Sequence, residues 1–247
     1  MATVWTSDSG GVGPAVLVLH PGGTDSRSMG PLVDELTGYR VLLVDLPGHG
    51  RSADVAGPWH LADMASVAAR LVEDAGVGPL HVVGWSDGAL VGLHLAMTRP
   101  ELVRSLVFGG APFAVDCWHD GVLDDADPPA FMADSYAEVS PDGREHWPVV
   151  VAKSAAMHAV EPAWTTGDLA TLGVPVLIVC GDDDEVRLGH LATMLEAVPD
   201  AELAVVPRAT HGLIVEQPRL LAELVRTFQA PGRSDGIAPR RRAARGR

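Results

Sequence analysis

Leu80-His81-Val82-Val83-Gly84-Trp85-Ser86-Asp87-Gly88-Ala89-Leu90 joins a short apolar run to a segment with helical spacing. A serine at such a sharp strand-to-helix turn is held in a strained conformation, with its hydroxyl exposed above the sheet. Gly84 and Gly88 leave room for the strand and the helix to pass closely. The stretch therefore predicts that Ser86 is a nucleophile; the alternative is a glycine-rich turn that holds an ordinary serine.

Short apolar runs and helical segments alternate on both sides of this turn. Runs rich in Val, Leu and Ile occupy residues 15–19, 41–46, 80–84, 102–108, 174–180 and 202–206. Segments with apolar residues three and four positions apart occupy 29–36, 61–75, 88–98, 188–197 and 219–228. Because the apolar runs are continuous, we expect both faces of the sheet to be covered. The pattern predicts an α/β fold with a doubly wound, mostly parallel sheet.

The alternation stops between residues 111 and 173, where prolines recur and several Trp and Phe residues are found. A structureless loop of this length inside a compact domain is uncommon, so we interpret the segment as an inserted cap of short helices. Residues 1–110 and 174–230 would then form the core. The last 17 residues, 231–247, carry six arginines against Asp235 alone, and we expect them to be a disordered, solvated tail.

The composition is that of one globular domain. The chain has 247 residues, 47% of them hydrophobic, and can bury a substantial core. Cys117 and Cys180 are the only cysteines, which excludes a disulfide framework and a paired-cysteine zinc site. The net charge of −14 opposes binding to phosphate backbones, and the sequence lacks a signal-like or membrane-spanning apolar run. We expect a cytoplasmic protein without nucleic-acid or membrane partners; its oligomeric state stays open.

A serine hydroxyl needs a base to remove its proton, and the base needs an acid to orient it. His211 lies on a loop after a predicted strand and before the last helix, which favours it as the base. Another predicted strand runs directly into four acidic residues, any one of which could be the acid: Asp182, Asp183, Asp184 and Glu185. At most one of them can pair with His211, and the spacing alone does not select it.

Further motifs resemble those of the α/β-hydrolase family. They are His20-Pro21-Gly22-Gly23 after a strand, Asp45-Leu46-Pro47-Gly48-His49-Gly50-Arg51-Ser52, and His211 followed by Glu216-Gln217-Pro218. The order Ser86, acid, His211 is also that of the family. The resemblance spans about residues 14–229 but does not cover 111–173. In the family the acid usually falls three positions after the glycine that here is Gly181, which favours Asp184.

The resemblance implies a site that needs no cofactor and no metal. Two backbone N–H groups would form an oxyanion hole, those of Asp87 and Gly22, with Gly23 as an alternative to Gly22. Pro21 stands where a glycine is usual and cannot donate. Aromatic and apolar residues of the cap and of the strand-to-helix turn at Ser86, hereafter the elbow, would line an apolar pocket, unless they only pack the cap onto the sheet. These pocket residues are Trp85, Phe113, Trp118, Phe131, Trp147 and Leu213.

The implied activity is hydrolysis of a carboxylic ester or thioester of a small, largely apolar substrate through an acyl-enzyme. The same triad could serve a C–C bond hydrolase, a lactonase or a cofactor-free haloperoxidase or perhydrolase. Epoxide and haloalkane hydrolysis are disfavoured because they usually require an aspartate where this chain has Ser86. A non-catalytic ligand-binding protein with the same fold is the alternative from another class. A nucleotide site is not indicated, since residues 54–58 break the chain after the glycine-rich stretch at Gly48.

Overall fold

The computed structural model describes residues 4–123 and 128–230. In this part of the chain seven strands form one sheet in the order β1-β3-β2-β4-β5-β6-β7. Strand β1 pairs with β3 in the antiparallel direction, and all other neighbours are parallel. The strands are β1 (Thr6–Asp8), β2 (Ala15–Leu19), β3 (Arg40–Val44), β4 (Leu80–Trp85), β5 (Val103–Gly109), β6 (Val176–Asp183) and β7 (Ala201–Thr210).

Helices cover both faces of this sheet. In chain order they are α1 (Gly30–Glu35), α2 (Leu61–Ala75), α3 (Asp87–Thr98), α4 (Ala130–Val139), α5 (Trp147–His158), α6 (Thr166–Leu169), α7 (Leu188–Ala197), α8 (Leu213–Glu216) and α9 (Pro218–Gln229). Short 3-10 helices precede α1, β5 and α5 and lie at 115–117.

Strand β2 illustrates how the sequence builds two hydrophobic layers. Side chains alternate between the faces of a strand, so neighbouring residues face opposite sides. Leu17 and Leu19 pack into a cluster with α2 and α3, whereas Val16 and Val18 pack into a second cluster with α1 and α9. All four side chains are fully buried. This confirms the predicted doubly wound, mostly parallel α/β fold.

The predicted element bounds differ from the structure mainly at the edges of the sheet. Helices α2 and α7 have the predicted bounds, whereas strand β1 was not predicted because it is short and polar. The prediction that every strand is continuously buried is wrong for β7. This strand forms an edge of the sheet, is longer than predicted and leaves Val205 exposed.

Residues 111–173, hereafter the insertion, leave the sheet after β5 and return before β6. They form α4, α5 and α6, and Pro148 lies in the first turn of α5 rather than interrupting a helix, because proline is tolerated there. The two ends of the insertion lie side by side, since Ala114 and Ala163 form an antiparallel bridge. The Trp164 N–H donates to the Phe113 carbonyl over 3.1 Å, which reinforces this bridge.

Two further predictions concern the ends and the environment of the chain. The arginine-rich tail at 231–247 lies outside the described residues. No helix within residues 4–123 and 128–230 combines the length and the apolar character that a membrane span requires.

Candidate active site

Ser86 lies at the turn between β4 and α3 with a backbone φ of 52° and ψ of −124°. Few residues other than glycine adopt a positive φ, so this turn is strained as predicted from the sequence. Its N–H donates to the Gly109 carbonyl over 2.8 Å, which fixes the turn to β5. A Cβ atom on Gly84 would lie 2.3 Å from the Gly88 carbonyl oxygen, so a side chain at this position would push strand and helix apart.

His211 follows β7 and pairs with Asp184 at the end of β6. Its Nδ1–H donates to Asp184 Oδ1 over 2.9 Å. The backbone N–H groups of Gly181 and Glu185 also donate to the Asp184 carboxylate, over 3.2 and 2.8 Å. The Asp184 side chain is fully buried. These bonds orient the ring so that the Nε2 lone pair faces away from Asp184.

The other acidic residues after β6 have different surroundings. Asp182 and Asp183 are exposed, and Asp182 accepts a hydrogen bond from the Ala209 N–H over 3.2 Å. Glu185 places Oε2 3.8 Å from His211 Nε2, on the opposite side of the ring from Asp184. Within the described residues Asp184 alone of these four pairs with Nδ1 of His211.

Two tryptophans hold His211 beside the elbow. Trp85, which directly precedes Ser86, donates its indole N–H to the His211 carbonyl over 2.9 Å. The Trp118 ring from the insertion stands edge-on to the imidazole, with 6.3 Å between the ring centres. No hydrogen bond joins Ser86 Oγ to His211 within the described residues. Such bonds are often long in the free enzyme and shorten when substrate binds.

Opposing effects determine the pKa of His211. Burial disfavours the charged ring, but the hydrogen bond to Asp184 and the charges of Asp184, Glu185 and Asp87 outweigh burial. The net result is a pKa above the ordinary value of 6.5. The imidazolium that forms when His211 accepts a proton is therefore stabilised by its neighbours.

The two predicted oxyanion donors belong to residues in direct contact. Asp87 is the first residue of α3, so its N–H has no acceptor inside the helix. A Cβ atom on Gly22 would lie only 2.2 Å from Asp87 Oδ2, so the Asp87 carboxylate rests against this glycine. Gly23 has a φ of 65° and lies beneath Met132 of α4. The loop that would carry the second donor therefore contacts both the elbow and the insertion.

An ion pair that the sequence analysis missed lies beside these donors. His158, the last residue of α5, places Nε2 2.8 Å from Asp87 Oδ1. Burial raises the pKa of Asp87, but the charge and hydrogen bond of His158 outweigh it, and His49 and His20 add to the lowering only at the acid pH where they are protonated; the net pKa is below 3.8. The charge of Asp87 raises the pKa of His158 above 6.5. His158 is 71 residues from Asp87, and no local pattern in the sequence signals the pairing.

His20 and His49 form the wall behind Asp87 as neutral rings. His20 Nδ1–H donates to the Pro21 carbonyl, while Nε2 accepts from the Leu46 N–H over 3.0 Å. Burial, together with the charge of His20, lowers the pKa of His49 to about 4. At neutral pH neither ring therefore supplies a positive charge to Asp87.

The six residues that were predicted to line a pocket lie in different environments. Trp118 contacts His211, and Trp147 approaches Gly23, where a Cβ atom would lie 3.8 Å from its ring. Trp85 and Leu213 pack into the cluster beneath the sheet. Phe113 lies 6.1 Å from the His190 ring, and the Phe131 side chain is 63% exposed on the surface. Met132, which the sequence analysis did not name, lies at the site because α4 crosses Gly23.

The described residues contain no group of three or more His, Cys, Asp or Glu side chains placed to hold a metal ion. The arrangement pairs an imidazole with a buried carboxylate near the strained turn of Ser86, so the imidazole could accept a proton while the carboxylate stays charged.

Comparison with known proteins places the chain among hydrolases. The model of the alpha/beta hydrolase family matches residues 16–224. RutD of Azorhizobium caulinodans, named as a candidate carbamate hydrolase, is 28% identical over 243 residues, which cover 88% of this chain and 92% of RutD. The pimeloyl-acyl-carrier-protein methyl ester esterase of Aeromonas salmonicida is 27% identical over 252 residues, which cover 88% of this chain and 96% of the esterase.

A solved structure shares the fold. The enol-lactonase of Burkholderia xenovorans superposes with a TM-score of 0.73 at 20% identity, and the match covers 92% of this chain and 96% of the lactonase. At this identity the similarity shows the shared architecture alone.

Proposed function

The chain belongs to the alpha/beta hydrolase family, and we propose that it is a serine hydrolase that cleaves a carboxylic ester or thioester through an acyl-enzyme. One observation carries the proposal: Ser86 has a backbone φ of 52° at the elbow, beside a histidine whose Nδ1 is 2.9 Å from a buried carboxylate. A strained serine, a base and an orienting acid are the parts that acyl transfer requires.

In the proposed reaction Ser86 Oγ attacks the carbonyl carbon of the substrate. Its proton passes to His211 Nε2, and the resulting imidazolium stays bound to Asp184 through Nδ1–H. His211 then returns the proton to the departing alcohol or thiol. A water molecule, activated by the same nitrogen, attacks the acyl-enzyme and releases the acid.

The oxyanion of each tetrahedral intermediate would accept hydrogen bonds from the N–H groups of Gly22 and Asp87. In a site of this kind each such donor is worth roughly 3 to 4 kcal/mol to the transition state. Support for this role comes from the position of Asp87 at the first turn of α3 and from the contact between its side chain and Gly22.

The pKa of His211 sets the expected pH dependence. His211 must be neutral to accept the serine proton, and Asp184, Glu185 and Asp87 hold its pKa above 6.5. The rate is therefore expected to rise with pH through a midpoint on the alkaline side of 6.5.

We propose that the insertion acts as a cap over Ser86 and limits the substrate to small molecules. Trp118, Met132 and Trp147 would supply an apolar wall, and the Asp87–His158 pair would supply a polar one. With this polar wall the pocket would be less uniformly apolar than the sequence predicts.

Cys117 and Cys180 are free and buried, in keeping with a reducing compartment such as the cytoplasm.

The test is turnover of short aryl esters together with covalent labelling by a fluorophosphonate. We compare the wild type with Ser86→Ala, His211→Ala and Asp184→Asn at matched folding. Loss of the nucleophile or the base is expected to reduce kcat at least ~10⁴-fold, and Asp184→Asn by a comparable factor. Ser66→Ala, which changes an exposed residue of α2, is the matched control.

Each outcome separates the remaining alternatives. Turnover that survives Ser86→Ala would exclude the proposed mechanism. Labelled Ser86 without ester turnover directs the search to thioesters, lactones, carbamates and C–C substrates. A folded wild type that neither labels nor turns over any of these, yet binds small ligands, would favour the non-catalytic ligand-binding alternative.

A further inference from the structure

The pair formed by Asp87 and His158 connects the insertion to the nucleophile elbow. Asp87 is the first residue of α3 and follows Ser86 directly, whereas His158 ends α5. Their side chains meet at 2.8 Å and are 6% and 19% exposed, respectively. A buried ion pair therefore joins the residue next to the nucleophile to the segment that would cover it.

The position of the Asp87 carboxylate creates an electrostatic conflict with the proposed reaction. Oδ2 rests against Gly22, and the backbone N–H of Asp87 itself would be the other oxyanion donor. A negative charge here repels the negative charge that develops on the substrate oxygen. Repulsion of this kind is strong in a buried site, where water does not screen it.

Among the titratable groups around Asp87, His158 is the group that can offset the negative charge of the Asp87 carboxylate. His20 and His49 face Asp87 from the loops after β2 and β3, but burial keeps both rings neutral at neutral pH. Glu161, which follows α5, adds a negative charge near His158 and is itself paired with His60. His211 is the remaining titratable neighbour of Asp87, and it must be neutral when Ser86 attacks.

Building on the proposed function, we propose that His158 is a positioning residue whose imidazolium offsets the charge of Asp87, so that the oxyanion donors act only when α5 is seated over Ser86. His158 does not touch the reacting atoms in this proposal. It acts through Asp87, and it makes closure of the insertion part of the assembly of the site.

The proposal predicts a second pH limit. Above its pKa, which Asp87 and Glu161 raise, His158 loses its positive charge and Asp87 is no longer offset. The rate should then fall. Because the rate also rises as His211 becomes neutral, the wild-type profile is expected to be bell-shaped, with His211 on the acid limb and His158 on the alkaline limb.

The experiment measures the rate constant for fluorophosphonate labelling of Ser86 from pH 5.5 to 9.5, because labelling needs no knowledge of the natural substrate. The variants are His158→Gln, Asp87→Asn and the double variant. His146→Gln is the matched control, since His146 is also an insertion histidine paired with a buried core aspartate, Asp54, at 2.8 Å. Folding of each variant is verified by circular dichroism.

The expected result has three parts. His158→Gln slows labelling ~10-fold or more at neutral pH, below the ~100- to 1000-fold that loss of an oxyanion donor causes, and it lacks the alkaline limb. In the Asp87→Asn background the same change slows labelling less than threefold, because no charge remains to be offset. His146→Gln leaves the shape of the pH profile unchanged.

The opposite results overturn the inference. An alkaline limb that persists in His158→Gln, an equal penalty in both backgrounds, or the same behaviour for His146→Gln would reduce His158 to a structural contact. Absence of labelling in the folded wild type would instead overturn the proposed function, and the inference with it. The two failures are therefore distinguishable in the wild-type sample.

Discussion

The central strands and the insertion are held in place by different forces. Strands β2, β4 and β5 lie in the middle of the sheet, and their apolar side chains are almost completely buried. The insertion also buries apolar residues in the same hydrophobic core, such as Tyr136, Val150 and Met157, but pairs of polar or charged side chains join it in addition to loops of the core. These pairs are Arg27–Glu138, Asp54–His146, Asp54–Lys153, His60–Glu161 and Asp87–His158.

Because of this difference, the two regions respond differently to salt and pH. Apolar burial is not weakened by ionic screening and changes little with pH, whereas pairs of charged groups depend on both. The core can therefore hold the elbow in a strained conformation under conditions that loosen the insertion. If the insertion acts as the proposed cap, the site would open without unfolding of the sheet that positions Ser86.

The largest expected effect is on the core. Phe108→Ala in β5 removes a fully buried ring and should lower the free energy of unfolding by about 3 to 5 kcal/mol. Urea denaturation measures the change, with Val160→Ala, at a position that is 63% exposed, as the control for which about 0.5 kcal/mol or less is expected. A loss of less than about 1 kcal/mol for Phe108→Ala would contradict the view that apolar burial holds the sheet.

A smaller effect concerns the pH sensitivity of a buried histidine in the core. Burial and the charge of Arg104 lower the pKa of His81 in β4 to about 4. Because the folded pKa is depressed, stability is fully present above the unfolded value of 6.5 and is lost as the pH falls toward 4. Between pH 7 and pH 5 the titration of His81 should lower the free energy of unfolding by about 1 to 2 kcal/mol.

Urea denaturation of the wild type and of His81→Asn at pH 7 and pH 5 tests this expectation. Asparagine can keep a hydrogen bond to Ser105 Oγ, which lies 2.8 Å from His81 Nδ1, but it does not titrate. The wild type should lose more stability than the variant on acidification. Equal losses would show that folding does not lower the pKa of His81, and a smaller loss in the wild type would show that folding raises it.

The smallest effect is expected in the insertion. Lys153→Met removes the ammonium group that lies 2.6 Å from Asp54 Oδ2. Asp54 keeps hydrogen bonds from His146, Trp59 and the Val55 N–H, so the expected cost is only about 1 kcal/mol. Because the pair fastens α5 to the loop after β3, hydrogen exchange should quicken at 147–158 and stay unchanged in β4 and β5.

Lys153→Arg keeps the charge and is the matched variant, with exchange close to that of the wild type. Faster exchange across the whole sheet in Lys153→Met would mean that the insertion and the core unfold together, and the proposed division of forces would then be wrong.

The sequence predicts well what local patterns determine. The Gly-x-Ser-x-Gly pattern of the elbow determines the conformation of the turn that contains it. Ser86 is found between β4 and α3 with a positive φ. The continuous apolar runs predict the buried strands because burial on both faces demands apolar residues in succession. Edge strands escape this reasoning: β1 is polar, and β7 needs apolar residues on part of its surface only.

For the site, contacts between residues that are far apart in the sequence limit what can be predicted from the sequence. Local spacing left four acidic residues as partners for His211, and the family resemblance favoured Asp184; in the structure Asp184 faces the ring while Asp182 and Asp183 are exposed. His158 and Met132 reach the site through the arrangement of α4 and α5, which no spacing in the chain encodes. Phe131 and Met132 are neighbours in sequence, yet helix geometry sends one to the surface and the other over Gly23.

The bridge between Ala114 and Ala163 has a consequence for how proteins of this kind diversify. Since the two ends of the insertion are already fastened together beside the sheet, the chain between them closes a loop whose ends are fixed, and the entropy of closing a loop changes slowly with its length. That stretch can be lengthened, shortened or exchanged as a cassette while strands β5 and β6 keep their registration. Changes in this stretch that keep the contact between His158 and Asp87 would therefore leave the elbow undisturbed.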